Sequence, residues 1–166
     1  MHCILCLDGS FEQKRCNCAG SGDQPIPTTQ CFFIPESRVT EMREYVEKQR
    51  NIKTANQMDD EDTIIPGLPM ANHIFDSCTS RFVAAKETNK KAEASIFSDT
   101  GLMALTCRHD RVLFMVNLRD AGEKQYNVLA LLKQLFLELP SDWHVGVLYD
   151  IGCQLHKSIK KVMLRF

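Results

Sequence analysis

Residues 144–156 read His144-Val-Gly-Val-Leu-Tyr-Asp150-Ile-Gly-Cys153-Gln-Leu-His156. They contain a short apolar run, residues 145–149, that ends on the carboxylate of Asp150. Aliphatic, β-branched and aromatic residues in such a run are typical of a buried strand in a parallel sheet. Asp150 would then stand at the carboxyl end of the strand, where open α/β sheets place their ligands. An Asp at this position can instead start a turn and cap the next helix, so this stretch alone leaves both roles open.

A second run of the same form opens the chain. Residues 3–8 read Cys-Ile-Leu-Cys-Leu-Asp, and Gly9 follows the aspartate. Two such strands lying side by side and parallel would be about 4.8 Å apart. Asp8 and Asp150 at matching ends could then share hard cations, such as the paired Mg²⁺ ions, about 4 Å apart, that serve in-line phosphoryl transfer. The pattern therefore predicts a carboxylate pair, provided that the two strands are neighbours.

Composition limits the class of protein. The chain has 166 residues, enough for one domain with a sizeable core. Its formal net charge of −1 argues against a strongly basic nucleic-acid-binding surface. No apolar run is long enough to cross a bilayer, and no signal-peptide pattern opens the chain. Without a secretory signal, the eight cysteines point to reduced thiols or metal ligands rather than disulfides.

Hydrophobic periodicity predicts the order strand, long insertion, strand, strand, helix, strand, helix. The strands are predicted at residues 3–8, 102–107, 112–117 and 145–149, and the helices at 36–49, 123–139 and 157–166. Ser37 is the predicted N-cap of the first helix, and the polar stretch after it reads as a linker. The second helix joins two strands, which predicts a right-handed crossover between parallel strands. The fold class is therefore α/β, a truncated ribonuclease-H-like fold with a three-stranded antiparallel part, a crossover helix, a parallel fourth strand and an insertion over residues 16–100.

Several sequence blocks, taken in order, resemble one family from end to end. They are Leu7-Asp8-Gly-Ser-Phe11, Phe32-Phe-Ile-Pro-Glu-Ser37, Asp99-Thr-Gly-Leu-Met-Ala-Leu-Thr-Cys-Arg-His-Asp110, Ala121-Gly-Glu-Lys-Gln-Tyr126 and Leu148-Tyr-Asp-Ile-Gly-Cys-Gln-Leu-His156. Together they resemble the Kyakuja–Dileera–Zisupton (KDZ) transposases. The resemblance implies a DDE-type DNA transposase on a ribonuclease-H-like fold with inserted zinc-binding elements. It also implies Mg²⁺ or Mn²⁺ as cofactor, transposon-end DNA as partner and a nuclear location for the intact parent.

The catalytic residues are carried over one at a time. Asp8 matches the first catalytic aspartate of the family and Asp150 the second. The third acidic residue, a glutamate, would lie beyond Phe166, so residues 1–166 are expected to form a single incomplete domain that does not cut DNA by itself. Asp99 or Asp110 could replace that glutamate only if the hairpin folded over the site. An exposed sheet edge left by the missing elements would favour self-association.

Zinc is a separate prediction. Cys107-x-His109 and Cys153-x-x-His156, together with Cys78, could form a structural zinc site of mixed Cys/His type. Cysteines at strand ends are also common as small buried hydrophobes, and that alternative stays open.

The other cysteines are weaker candidates. Cys3 and Cys6 have zinc-knuckle spacing, but residues three apart in a strand point to opposite faces, so both are predicted to be core residues. Cys16-x-Cys18 is predicted in a loop with only Cys31 as a further partner, and metal binding there stays open.

Two other classes of protein compete with a transposase fragment. One is a non-catalytic DNA- or protein-binding module derived from the transposase. The other is a small zinc-stabilised interaction domain without a nucleic-acid role. The near-neutral charge weakens DNA binding, and the missing glutamate favours any non-enzymatic role over catalysis.

Overall fold

A computed structural model of the chain describes residues 2–17, 32–55, 96–120, 122–152, 155, 156 and 159. Its elements, in chain order, are β1 (Cys3–Ser10), β2 (Arg15–Cys16), α1 (Glu36–Ala55), β3 (Phe97–Asp99), β4 (Gly101–Cys107), β5 (Val112–Leu118), α2 (Gln125–Glu138) and β6 (Val145–Leu148). All four predicted strands and the first two predicted helices are therefore present. The helix predicted over residues 157–166 lies, apart from residue 159, outside the described residues.

The main sheet has four strands in the order β5-β4-β1-β6. β4 is antiparallel to both β1 and β5, whereas β6 is parallel to β1. β1, β5 and β6 therefore run in the same direction, and their carboxyl ends meet at one edge of the sheet. This arrangement confirms the α/β class, the three-stranded antiparallel part and the parallel fourth strand.

The core lies between the sheet and the two helices. Alternate strand residues face the helices because side chains in a strand alternate between the two faces. The buried strand residues are Leu5, Leu7, Met103, Leu105, Val116 and Leu118, and α2 covers them with Val128, Leu129, Leu131, Leu132 and Leu135. Burying one such side chain fully contributes about 1.5–3 kcal/mol. Packing of this apolar set therefore holds α2 across the sheet.

The segment predicted as an insertion contributes to the same core. Met42 and Val46 of α1 are buried in the core cluster, beside Ile34. Before the helix, the Ile34 amide donates to the Met115 carbonyl (2.8 Å) and the Met115 amide donates to the Phe32 carbonyl (2.7 Å). These bonds cover the outer side of β5. In the part of the chain that the structure describes, β6 pairs only with β1.

The helix boundaries differ from the prediction in three places. Ser37 is not the N-cap of α1, because the helix begins at Glu36 and the Pro35 carbonyl accepts the Arg38 amide at 3.0 Å. α1 continues through residues 51–55, which were predicted as linker, since Lys53 and Ala55 favour helix even where the apolar stripe ends. α2 begins at Gln125, and Lys124 before it is extended, so residue 123 lies in the connection from β5.

The end of β1 packs tightly against Gly101. A Cβ added to Gly101 would lie 2.6 Å from the Ser10 carbonyl oxygen, whereas one added to Gly152 would meet nothing within 4 Å. Gly101→Ala should therefore lower the free energy of unfolding by about 1–3 kcal/mol through overpacking. Gly152→Ala should leave it unchanged or raise it by up to about 1 kcal/mol, because alanine favours helix over glycine. Urea denaturation of both variants measures the difference, and equal stability would contradict the tight contact.

Within the described residues, no helix combines the length and the apolar character needed to cross a membrane.

Candidate functional site

The two aspartates stand at the ends of neighbouring parallel strands. β1 and β6 pair in register from Cys3 with Val145 to Cys6 with Leu148. Continuing this register by two residues brings Asp8 level with Asp150, on strands about 4.8 Å apart. The predicted adjacency of the two strands is therefore confirmed. The role of Asp8 and Asp150 as catalytic, metal-holding residues stays a prediction.

Each aspartate is exposed and oriented by the amide that follows it. Asp8 Oδ1 accepts the Gly9 amide at 2.8 Å, and Asp150 Oδ1 accepts the Ile151 amide at 2.7 Å. Asp150 thus also starts the turn that the alternative interpretation predicted, and the two roles are compatible. Neither carboxylate forms an ion pair with a Lys or Arg among the described residues. In the part of the chain that the structure describes, the two carboxylate charges at this edge of the sheet therefore have no cationic partner.

Tyr149 and Glu123 adjoin the aspartates. The Tyr149 hydroxyl donates to Glu123 Oε1 at 2.6 Å. Burial raises the pKa of Tyr149 well above its usual range, and the hydrogen bond to Glu123 and the charges of Glu123, Asp150 and Asp8 raise it further. The phenol is therefore protonated at neutral pH, and its proton is donated to Glu123. Both aspartate charges are close enough to act on it.

Sequence reasoning missed Glu123, although the topology contained a signal for it. β5 runs in the same direction as β1 and β6, so the residues after β5 start at the edge that carries Asp8 and Asp150. Glu123 is the first acid after Asp120 in that connection. The periodicity assigns it to the first residue of a helix, which removes it from the candidate acids.

The donor set of this edge fits a hard cation. Mg²⁺ and Mn²⁺ take carboxylate oxygens and complete their coordination with water. Asp8 and Asp150 would supply one carboxylate each, aligned by the backbone amides that hold their Oδ1 atoms. Among the described residues, no three His, Cys, Asp or Glu side chains are grouped closely enough to hold a metal ion. Within the described residues, this edge thus offers Asp8 and Asp150 as carboxylate ligands.

The two acids considered as replacements for the family glutamate are not grouped with Asp8 and Asp150. Asp99 is buried and pairs with Arg15 (Nε to Oδ2, 2.7 Å) and with Arg119 (Nε to Oδ1, 3.4 Å). Asp110 lies in the turn between β4 and β5, and the Arg108 amide in that turn donates to the Ile4 carbonyl. This turn is therefore at the amino end of β1, away from Asp8. Asp99 lies just before β4 and therefore toward the carboxyl end of β1, but its carboxylate is held by Arg15 and Arg119. Among the described residues, neither acid joins Asp8 and Asp150 in one metal-holding group.

The zinc candidates are only partly covered by the described residues. Cys107 Sγ and His109 Nδ1 are 3.9 Å apart, so this pair is close. Cys78 and Cys153 lie outside the described residues. His156 Nε2 is buried and has no hydrogen-bond partner in the described part, but His156 does not join Cys107 and His109 in one group. The zinc site stays a prediction.

The remaining cysteines follow the strand geometry. Cys3 and Cys6 both lie in β1, and Cys3 packs against the core cluster. Cys6 is half-buried and is not a member of that cluster, so its prediction as a core residue was wrong. Cys16 ends β2 rather than lying in a loop, because β2 pairs with β3. Its predicted partners Cys18 and Cys31 lie outside the described residues.

These features define a class of α/β protein. Its mixed sheet carries two aspartates at the carboxyl ends of neighbouring parallel strands. The chain belongs to the KDZ transposase family, because the family model described as Kyakuja-Dileera-Zisupton transposase matches residues 1–166. No curated protein and no solved structure matches the chain. Family membership assigns the chain a transposase-derived origin.

Proposed function

We propose that residues 1–166 carry the first two metal-holding aspartates of a DDE-type DNA transposase centre on a ribonuclease-H-like fold. The observation that carries this proposal is the register of β1 and β6, which brings Asp8 level with Asp150. The substrate class is DNA, with transposon ends as the partner and the nucleus as the location of the intact protein. Cation binding that requires both aspartates is the direct test of the site.

The chemistry follows from the two carboxylates. Bound Mg²⁺ or Mn²⁺ would activate water or a DNA 3′-hydroxyl against a phosphodiester. Asp8 and Asp150 would hold and orient the cations, and their exposure leaves the outer side of the edge open to a phosphate group. The Tyr149 phenol stays protonated and donates its proton to Glu123, so it does not serve as a base in this chemistry.

Residues 1–166 taken alone are proposed to be catalytically silent. Mg²⁺ demands near-ideal octahedral geometry, and two carboxylates leave most of that shell to water. Supercoiled plasmid incubated with the chain and Mn²⁺ should therefore stay intact, and the Asp150→Ala variant should behave the same way. Nicking by the wild-type chain that disappears in Asp150→Ala would contradict this prediction and make the two-aspartate edge an active centre by itself.

A non-catalytic protein-binding role is the second candidate. Trp143 and Leu148, which flank and end β6, are 41% and 59% exposed. Within the described residues β6 pairs on one side only, and a strand edge with exposed apolar side chains is a common site of association. The net charge of −1 favours a protein over DNA as the partner in that role. A wild-type chain that binds no Mn²⁺ would favour this candidate.

A further inference from the structure

A side-chain hydrogen bond joins the connection after β5 to the end of β6. The donor is the Tyr149 hydroxyl and the acceptor is Glu123 Oε1, 2.6 Å away. Tyr149 directly precedes Asp150 and packs against the core cluster. The bond therefore fixes the backbone position from which the second aspartate projects.

Glu123 also passes close to the end of β1. A Cβ built on Gly9 would lie 3.6 Å from Glu123 Oε1, which is ordinary van der Waals distance. Gly9 directly follows Asp8, so the Glu123 carboxylate lies beside the residue after one aspartate and bonds to the residue before the other. It is the side chain that spans the two strand ends.

The Glu123–Tyr149 pair and the Asp8–Asp150 pair lie on different faces of the sheet. The parallel register puts Tyr149 level with Leu7, which is buried on the helix-covered face, whereas Asp8 alternates to the opposite face and is exposed. Glu123 thus approaches from the α2 side. It does not complete a three-ligand metal group with Asp8 and Asp150. The contact through which Glu123 reaches the strand end that carries Asp150 is its hydrogen bond to Tyr149.

We propose that Glu123 is a positioning residue, which holds the Tyr149 hydroxyl so that Asp150 stays level with Asp8. The consequence of this positioning is that the aspartate pair is ready to bind a divalent cation, and that consequence rests on the proposed function. The residues that orient metal ligands commonly control affinity as strongly as some ligands do.

The experiment compares Glu123→Gln, Glu123→Ala and Tyr149→Phe with the wild type. Free Mn²⁺ is measured by electron paramagnetic resonance, and amide hydrogen exchange of Ile151 and Gly152 is measured without metal. Glu123→Ala and Tyr149→Phe should each weaken Mn²⁺ binding by about tenfold, the usual effect of removing a partner that orients a ligand. Exchange of the two amides should become roughly fivefold faster in these variants, since a local hydrogen bond is lost. Glu123→Gln keeps an acceptor oxygen and should retain wild-type behaviour in both measurements.

A second phenol–carboxylate pair provides the matched control. The Tyr126 hydroxyl donates to Asp120 Oδ2 at 2.7 Å, and this pair also lies where α2 begins. Tyr126→Phe removes an equivalent hydrogen bond, so it should cost similar stability without changing Mn²⁺ affinity or exchange at residues 151 and 152. If Tyr126→Phe weakened Mn²⁺ binding and accelerated amide exchange as much as Tyr149→Phe does, the effect would be one of general destabilisation. That result would overturn the proposal.

The outcomes separate this proposal from the proposed function. If Glu123→Gln loses Mn²⁺ binding while Tyr149→Phe retains it, Glu123 is a direct ligand and the positioning role is wrong. Exchange unchanged in Glu123→Ala would also overturn it. If the wild type binds no Mn²⁺, faster exchange in Glu123→Ala but not in Tyr126→Phe would support the positioning role, and only the cation site would fail.

Discussion

Replacing Asp8 or Asp150 with Asn should weaken Mn²⁺ binding to residues 1–166 by roughly thirtyfold or more. Two unit charges 4 Å apart in bulk water interact by about 1 kcal/mol, and a divalent cation doubles that figure. The resulting ~2 kcal/mol corresponds to about thirtyfold, because each ~1.4 kcal/mol is tenfold in a dissociation constant. Asn keeps the oxygen that accepts the following amide in each case, so the backbone should stay in place. Titration of free Mn²⁺ by electron paramagnetic resonance measures the affinity.

Asp142→Asn is the control for this pair of variants. Asp142 is exposed and precedes β6, so it lies at the end of the strand away from Asp150. The substitution changes the net charge by the same amount and should leave Mn²⁺ affinity unchanged. Without metal, Asp8→Asn and Asp150→Asn should unfold at the same temperature as the wild type or slightly higher, since one of two like charges is gone. If Asp142→Asn weakened Mn²⁺ binding as much as Asp8→Asn and Asp150→Asn do, the effect would be one of non-specific charge.

Periodicity predicted most of the sheet, because the strands are short apolar runs with sharp ends. Leu5 and Leu7 alternate with less buried neighbours along β1, and Met103 and Leu105 do the same along β4. The position of Asp150 directly after such a run is enough to place it at the carboxyl end of β6. What the pattern could not supply was strand order, which depends on contacts between residues about 140 positions apart.

The missed features depend on contacts that no local pattern encodes. The backbone hydrogen bonds of Phe32 and Ile34 with Met115 attach a segment predicted as a separate insertion to the edge of β5. Glu123 is predicted as helical because the apolar spacing of Val128, Leu132 and Leu135 extends the predicted helix back to it. In the structure its side chain instead accepts the Tyr149 hydroxyl across the sheet edge. The tertiary hydrogen bond of Glu123 outweighs its local helix preference. Sequence reasoning therefore did not include Glu123 among the candidate site residues.

Replacing both Arg15 and Arg119 with Gln should lower the free energy of unfolding by about 3 kcal/mol. Asp99 is 4% exposed, and these two arginines are its charged partners in the described part of the chain. Removing the partners of a buried charge costs about 3–5 kcal/mol, and the lower end applies because both arginines are about half exposed. Arg119 also pairs with exposed Glu36, but a surface pair contributes at most about 1 kcal/mol. Urea denaturation at neutral pH measures the loss.

Adding Asp99→Asn to that double variant should recover about 2 kcal/mol, because a neutral amide is far easier to bury than an unpaired carboxylate. Asp99→Asn alone should cost less than the double arginine variant, since the exposed arginines it leaves behind are solvated. Glu47→Gln is the control, because it breaks the exposed Arg43–Glu47 pair and should change stability by no more than about 0.5 kcal/mol. Full stability in the double arginine variant would contradict a structural role for Asp99.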